Sequence, residues 1–547
     1  MFFVLYFGGL TFNLAALQWM RLGDSSMCLA WFALALYMAI YLPLFVAISR
    51  VAVHRFTVPL TIAVPVVWVG LEYLRGTFMT GFPWYNLSHT QYRWIELIQI
   101  SDLVGAYGVS FVIAMMSACL AGMLPQSLFL KLHLFPDGSS SSQLSDSQEI
   151  KISPYVISSN TTRRRVLQVV TCLIVFAAVL GYGYVRRGQA KFESGPRVAL
   201  IQGNFTASLK HKPNEAPTIF QHHETLTGMA VKHQPDIVIW PETMFRWPLH
   251  EATDGLTDED LMALAPRAAK LNPSKWVQLW RRSEVPRTLV EMSQKAGAAM
   301  VIGIDVLEAK HDGIRRYNSA VFIRPDNGIS GRYDKLHRVP FGEYIPLKDE
   351  IPWLHKLTPF PSNFGIAKGD RVAVFDYQGW RFAPIICFED TVPHLVRDIV
   401  HTANATERGK SVNCLVNLTN DGWFHGSSEL DQHLITALFR CVECRTPMMR
   451  AVNTGISAVI DGDGVVLEPD VFIDGDGQGR SSICDPKSGR WHKQLNAVLV
   501  DTVPLDNRTS LYVTYGDWFA SGCGFCAIFF VLAGSIPRRR SEAKSAS

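Results

Sequence analysis

The chain has 547 residues, 48% of them hydrophobic, with a mean hydropathy of +0.12 and a net charge of +4. That apolar share is high for a water-soluble protein of this size, while the net charge says little about partners and no nucleic-acid partner is expected. Ten cysteines would suggest a disulfide framework, but Cys28, Cys119, Cys172, Cys523 and Cys526 lie in or beside apolar runs.

The hydrophobic excess is concentrated. Residues 1–20, 27–49, 104–124, 166–185 and 519–537 carry no charge, and runs of about 20 such residues match a hydrocarbon core. A sixth run, 56–74, contains Pro59, Pro65 and Glu72. It reads as a kinked span, with a buried helix as the plainer alternative. Met1 opens directly in an apolar run, without the charged n-region and cleavage site of a signal peptide. If the six spans alternate, Arg50, Arg55, Lys131, Arg163 to Arg165 and Arg538 to Arg540 share one side, which is then cytoplasmic, while Arg186, Arg187 and Lys191 run against the trend.

The expected organisation is therefore spans one to four over 1–124, a Ser-rich flexible cytoplasmic linker over 125–165 and span five over 166–185. A globular domain over 193–510 follows, then a last span over 519–537 and a basic cytoplasmic tail over 538–547. On the outer side, 76–91 is a Gly/Pro/aromatic loop. Its rings, Trp84 among them, either anchor at the interface or line a path for lipid chains.

In the globular domain, strands are expected at 197–202, 236–240, 299–304, 319–323, 372–375, 382–386, 414–418, 448–452, 458–461 and 497–501. Helical patterns cover 217–232, 286–296 and 430–445, and the alternation predicts an α/β layered domain with mixed sheets. The polar excursion 245–284 and the Pro- and aromatic-rich stretch 344–364 are expected to be functional arms.

Several apparent motifs carry less. Asp461-Gly-Asp-Gly464 and Asp474-Gly-Asp-Gly477 lack the Glu that closes a calcium loop and read as turns. Cys441 and Cys444 form one CxxC inside a helical pattern, so packing is expected rather than zinc. His222-His223 has no evident third ligand.

Cys387 ends the apolar run 382–386 and is followed by Glu389 and Asp390. A lone cysteine at a strand end more often packs than reacts, so its partners decide the matter. Three segments supply them: Val238-Ile-Trp-Pro-Glu242, Gly331-Arg-Tyr-Asp-Lys335 continuing to Glu343-Tyr344, and Ile386-Cys387-Phe388-Glu389-Asp390. In that order they resemble the Glu, Lys and Cys segments of the nitrilase, or carbon-nitrogen hydrolase, superfamily. Asn417-Leu-Thr-Asn420-Asp421-Gly-Trp423-Phe424 and Arg450-Ala-Val-Asn453-Thr-Gly455 extend the likeness.

Glu72-Tyr-Leu-Arg75, Gly81-Phe-Pro-Trp84 and Tyr515-Gly-Asp517-Trp518 extend it into the membrane part, where the chain is similar to the apolipoprotein N-acyltransferase family. The family has eight spans against six counted here, so its first hairpin is expected to be absent or unannotated. Phe388 stands where the family commonly has Tyr, and Lys210-His211 where it has Trp.

The resemblance implies a multi-span helical bundle carrying a nitrilase-like αββα sandwich. It implies Glu242, Lys335, Cys387 and Glu343 in catalysis and Phe388, Glu389, Trp84, Trp423 and His211 toward substrate, with no metal and no cofactor. It further implies a phospholipid acyl donor, a diacylglyceryl apolipoprotein acceptor, and the bacterial inner membrane with the catalytic domain facing the periplasm. A membrane-tethered amidase or nitrilase using the same three residues on a small amide is the alternative.

Overall fold

Strand β1, Glu193–Gln202, alternates its apolar side chains between two cores: Val198 and Leu200 point one way, Ala199 and Ile201 the other. A strand with both faces apolar must be covered on both sides, and that requirement builds the domain. The computed structural model describes residues 1–23, 27–124, 161–210, 212–266, 269–281, 284–346, 353, 364–405 and 410–536. The linker residues 125–160, most of the stretch 344–364, His211 and the tail 538–547 lie outside these.

The remaining strands are β2 Ile237–Ala252, β3 Ala299–Lys310, β4 Gly313–Arg324, β5 Gly328–Asp334, β6 Phe375–Tyr377, β7 Trp380–Ile386, β8 Cys414–Thr419, β9 Met448–Val452, β10 Ala458–Ile460, β11 Val471–Asp474 and β12 Ala497–Leu505. They form a seven-stranded sheet, β11-β12-β1-β2-β3-β4-β5, and a five-stranded sheet, β10-β9-β8-β7-β6. Val198, Leu200, Ile239 and Phe322 of the first meet Phe382, Ile386, Val416 and Met449 of the second in one buried core. Leu226 and Ala230 of the helix Ala216–Ala230, with Leu289 and Met292 of Glu284–Ala296, cover the outer face of the larger sheet. Helices Pro393–Ala405 and Glu429–Cys444 cover the smaller one through Val396, Ile399, Leu434 and Leu438. The result is the αββα sandwich.

Several expectations change. The excursion 245–284 is no open loop: β2 continues through Ala252 paired with β3, and the helices Asp258–Ala263 and Pro273–Arg281 follow. The strand expected at 372–375 is confined to β6, while β5, β11 and the helix Pro393–Ala405 were not anticipated. Cys441 and Cys444 are both buried in the helix Glu429–Cys444.

In the membrane part, five helices among the described residues are long and apolar enough to cross a bilayer: Met27–Phe56, Leu60–Thr80, Ala106–Met123, Arg163–Gly188 and Trp518–Ser535. The run 1–20 is not one span but the helix Phe2–Ala16 followed by a 3-10 turn, Gln18–Leu22. Fifteen residues reach about 22 Å. The turn brings Trp19 against Trp84 and Phe424, and Trp19 Nε1 donates to the Tyr85 hydroxyl at 2.9 Å.

The two parts are joined by buried charge. Arg445, in left-handed conformation at the end of the helix Glu429–Cys444, donates to Asp102 Oδ2 (2.8 Å), Gln99 Oε1 (2.6 Å) and Asp463 Oδ1 (2.9 Å). Asp102 also accepts from Arg186 Nε and the Tyr182 hydroxyl, each at 2.6 Å. Asp463, one of the acidic pair in the turn 461–464, is thus a structural ion.

Candidate active site

A bulge within β2, the ends of β5 and β7, and one loop of the membrane part converge. Strand β2 loses register between Trp240 and Phe245, and Thr243 takes a positive φ of 51°, so the chain bulges and turns Glu242 inward. Gly303 of β3 lies beneath the bulge, where a Cβ would stand 2.3 Å from the Pro241 carbonyl oxygen and 2.6 Å from Glu242 Cα. Only glycine fits there. Asn318 of β4 donates from Nδ2 to Glu242 Oε1 at 2.6 Å.

Lys335 follows β5, and its backbone N–H donates to the Asn318 carbonyl at 2.9 Å. Its side chain is fully buried, with Nζ 2.8 Å from Glu343 Oε1 and 3.5 Å from Glu242 Oε1. Glu343 is held in turn by the Val339 N–H on Oε2 at 2.8 Å. Burial pulls the Lys335 ammonium down, but Glu343, Glu242 and Cys387 together outweigh it and hold the group above its ordinary value. The site therefore contains a permanent cation between two carboxylates.

Cys387 is the first residue after β7 and has φ +53°, a conformation disfavoured for any residue but glycine. Such strain at the turn where a strand meets a helix aims the side chain out of the sheet. Burial pushes the Cys387 thiol well up; Glu242 adds to this, Lys335 opposes it, and Asp421 and Glu343 add further. The thiol rests protonated, so reaction requires a base beside it.

Glu389, expected toward substrate, is fully buried instead. Its carboxylate accepts from the N–H groups of Leu336 (2.6 Å), His337 (2.9 Å) and Ile386 (2.7 Å) and from the Tyr333 hydroxyl (2.8 Å). It ties the lysine loop to the cysteine turn and has no face left for a ligand. Burial pushes its carboxyl up to about 7 against those donors.

The loop 76–91 of the membrane part reaches this site. Glu72 accepts from Trp68 Nε1 (2.8 Å) and the Leu87 N–H (2.7 Å), and Arg75 donates to Asn86 Oδ1 at 2.7 Å, which shapes the loop. Gly81, with φ +80°, passes so close to the Gly76 carbonyl that a Cβ would lie 2.0 Å from it. Trp84 is buried, donates from Nε1 to Gln432 Oε1 at 2.7 Å, and stacks on Phe388. Phe388 also stacks on His337, whose imidazole is held down to about 4 chiefly by burial. Trp423 is half-buried in the loop whose next residue, Phe424, packs on Trp19. His211 is outside the described residues.

Behind the cysteine turn lies a network that sequence reasoning missed. His433 Nε2 is 2.9 Å from Asp390 Oδ1 and its Nδ1 is 2.8 Å from Asp421 Oδ1. Arg450 pairs with Asp390 and lies 3.6 Å from Asp421, and Asn417 Nδ2 donates to Asp390 Oδ2 at 2.9 Å. Asp421, Glu429 and His433 are the one group among the described residues whose donor atoms come close enough to hold a metal ion. Both imidazole nitrogens already face carboxylates, and Arg450 brings a second cation. Burial pulls His433 down, but Asp390 and Asp421 raise it to about 10, so it is an imidazolium clamp. Asn318 was equally unforeseen, although a polar Asn-Ser pair inside an apolar strand was a visible signal.

A thiol, a neighbouring carboxylate, a buried ammonium and aromatic rings from the membrane part stand together here, and these are the group types that acyl transfer through a thioester calls for. Comparison with known proteins agrees. Residues 1–119 match the model of the apolipoprotein N-acyltransferase N-terminal domain, and residues 197–472 that of the carbon-nitrogen hydrolases. The apolipoprotein N-acyltransferase of Geobacter metallireducens is 30% identical over 92% of this chain and 79% of its own. That of Rhodopirellula baltica is 29% identical over 98% and 90%. A solved carbon-nitrogen hydrolase superfamily protein from Xanthomonas campestris aligns at 18% identity over 56% of this chain and 90% of its own, with a TM-score of 0.33.

Proposed function

Because the chain belongs to the apolipoprotein N-acyltransferase family, we propose that it moves an acyl chain from a phospholipid to the α-amine of a diacylglyceryl-cysteine at a lipoprotein N-terminus. In the first half, Glu242 takes the Cys387 proton as Sγ attacks the sn-1 ester carbonyl. Lys335 and the Phe388 N–H stabilise the oxyanion, a contribution of about 3 to 4 kcal/mol for one well-placed donor. The tetrahedral adduct collapses, the lysophospholipid alkoxide leaves with the proton from Glu242, and the acyl group stays on sulfur. In the second half, the lipoprotein amine attacks the thioester and gives its proton to Glu242. Amide formation expels the thiolate, which recovers that proton.

The observation that carries this reading is the Lys335 ammonium held between Glu242 and Glu343 in the site of a thiol that burial keeps neutral. Positive residues at Arg50, Arg55, Arg163 to Arg165 and Arg538 to Arg540 support the inner membrane with the catalytic domain on the periplasmic side. The amidase alternative is weaker, since water as acceptor would give no role to the membrane loop that packs Trp84 on Phe388.

The test is mass spectrometry of a diacylglyceryl lipopeptide incubated with the purified protein and phosphatidylethanolamine, alongside Cys387→Ala. One acyl chain gained at the amine, absent with the variant, is expected. Release of free fatty acid alone would favour a hydrolase.

A further inference from the structure

Three segments line an open cavity of about 490 Å³. Tyr92 and Arg93 come from the outer end of the membrane part, just before Trp94. Asp431 comes from the first turn of the helix Glu429–Cys444. Arg490, Trp491 and Lys493 come from a hairpin closed by the bridge between Cys484 and Trp491. The Trp491 ring packs on Tyr92 at 5.5 Å and fastens the hairpin to the membrane part.

The charges do not cancel. Lys493 is engaged, since its Nζ pairs with Asp431 and donates to the Ser427 carbonyl at 3.2 Å. Two exposed guanidinium groups remain. Among the described residues Arg93 donates only to the Tyr92 hydroxyl, at 2.8 Å, and lies over that ring. The Arg490 side chain has no partner among the described residues. Two unpaired guanidiniums on one cavity suit a tetrahedral or planar oxyanion, which their donor forks meet bidentately. The volume is that of a small-ligand site, and Tyr92, Trp94 and Trp491 are residue types that settle at a bilayer surface.

We propose that this cavity binds the phosphate of a phospholipid headgroup through Arg93 and Arg490. The assignment of the lipid as the acyl donor rests on the function proposed above; the anion site itself rests on the cavity. Its wall is coupled to the chemistry: Gln432, next to Asp431, accepts from Trp84, which stacks on Phe388 beside the nucleophile. A phosphate seated here orients the lipid while its glycerol esters extend toward Cys387.

The test uses the full chain in maltoside micelles, which contain no phosphate, with phosphatidylethanolamine as donor and a diacylglyceryl lipopeptide as acceptor. Arg93→Gln with Arg490→Gln is expected to raise the donor KM about tenfold, leave kcat within about twofold, and leave the acceptor KM unchanged. Arg287→Gln, an exposed arginine on the helix Glu284–Ala296, controls for loss of charge and should change nothing. Arg93→Lys with Arg490→Lys keeps the charge without the fork and should fall between. An unchanged donor KM in the double glutamine variant, with normal turnover, would overturn the site. Inorganic phosphate that binds the wild type in native mass spectrometry and is lost from the double glutamine variant, yet leaves the donor KM unchanged, would overturn the lipid assignment in favour of the free anion. If no phospholipid acylates Cys387 in the wild type, the donor reading fails separately. Native mass spectrometry then decides the site: phospholipid retained by wild type and lost by the double variant sustains it, and equal retention rejects it.

Discussion

The indole of Trp84 lies parallel to the ring of Phe388, with centroids 6.2 Å apart and planes 7° from parallel. One ring belongs to the membrane part and the other follows Cys387 in the sandwich. Trp84 also packs against the His433 ring, with centroids 5.6 Å apart and planes tilted by 46°. A single side chain thus touches both the reactive turn and the ion network behind it.

Trp84→Ala should remove the wall and leave Gln432 without its donor. Large-to-small changes of this kind cost about 3 to 5 kcal/mol, so acyl transfer should fall at least about tenfold, with a lower unfolding temperature. Trp84→Phe keeps the stack and loses only the hydrogen bond to Gln432, and should retain most activity. Wild-type rates for the alanine variant would show that the loop is not part of the site.

Glu343→Gln leaves a buried ammonium with one carboxylate instead of two. Lys335 then drifts from its place, and kcat should fall on the order of a hundredfold, the scale of one misplaced oxyanion donor. Single-turnover measurement of Cys387 thioester formation reads this directly. A loss confined to KM would contradict it.

Gly303→Ala forces a methyl group against the Pro241 carbonyl and Glu242 Cα. The bulge must shift, so activity should drop while the sheets stay folded. Gly228→Ala is the contrast: nothing lies within 4 Å of its Cβ position and it sits inside the helix Ala216–Ala230. It should stabilise by about 0.5 to 1 kcal/mol. Thermal unfolding and acyl-transfer rate, taken together, separate the two effects.

Glu389 has an ordinary value of 4.5 and is raised to about 7. A carboxyl raised on folding holds its proton more tightly in the native state, so its contribution is most favourable below 4.5 and is lost as pH climbs to 7. Stability should therefore decline across that window by on the order of 3 kcal/mol, while activity rises because the carboxylate form accepts all four donors. Unfolding temperature against pH for wild type and Glu389→Gln checks this: the variant should lose the slope.

His433 gives the opposite case. Its value is raised from 6.5 to about 10, so its stabilisation is complete below 6.5 and fades as pH rises through 10. His433→Gln should be most destabilised at about pH 6.5 and below and approach wild type at alkaline pH. A difference that did not vary with pH would mean a neutral imidazole.

Much of the sandwich was legible because its strands are short, apolar on both faces and separated by turns. The helix Pro393–Ala405 was missed although Val396, Ile399, Val400 and Ala403 carry its period; it is short and crowded behind the cysteine turn. Glu242, Lys335 and Cys387 stood out through motif order. Asn318 and His433 did not, since their roles depend on partners 76 residues away for Asn318 and, for His433, on Asp390 and Asp421 in two other segments. The run 1–20 reads as uniformly apolar, and hydropathy, which reports composition, does not show that its helix ends at Ala16 and that a turn carries Trp19 to Trp84.

Arg445, buried and bonded to Asp102, Gln99 and Asp463, makes the seam between sandwich and spans a rigid weld. Breaking it would strand charges in a dry interior, at a cost of about 3 to 5 kcal/mol. The catalytic layer is therefore tied at one height relative to the spans. On the function proposed above, that tie makes the sandwich a depth gauge: the donor's carbonyl must come to a thiol that does not move to meet it.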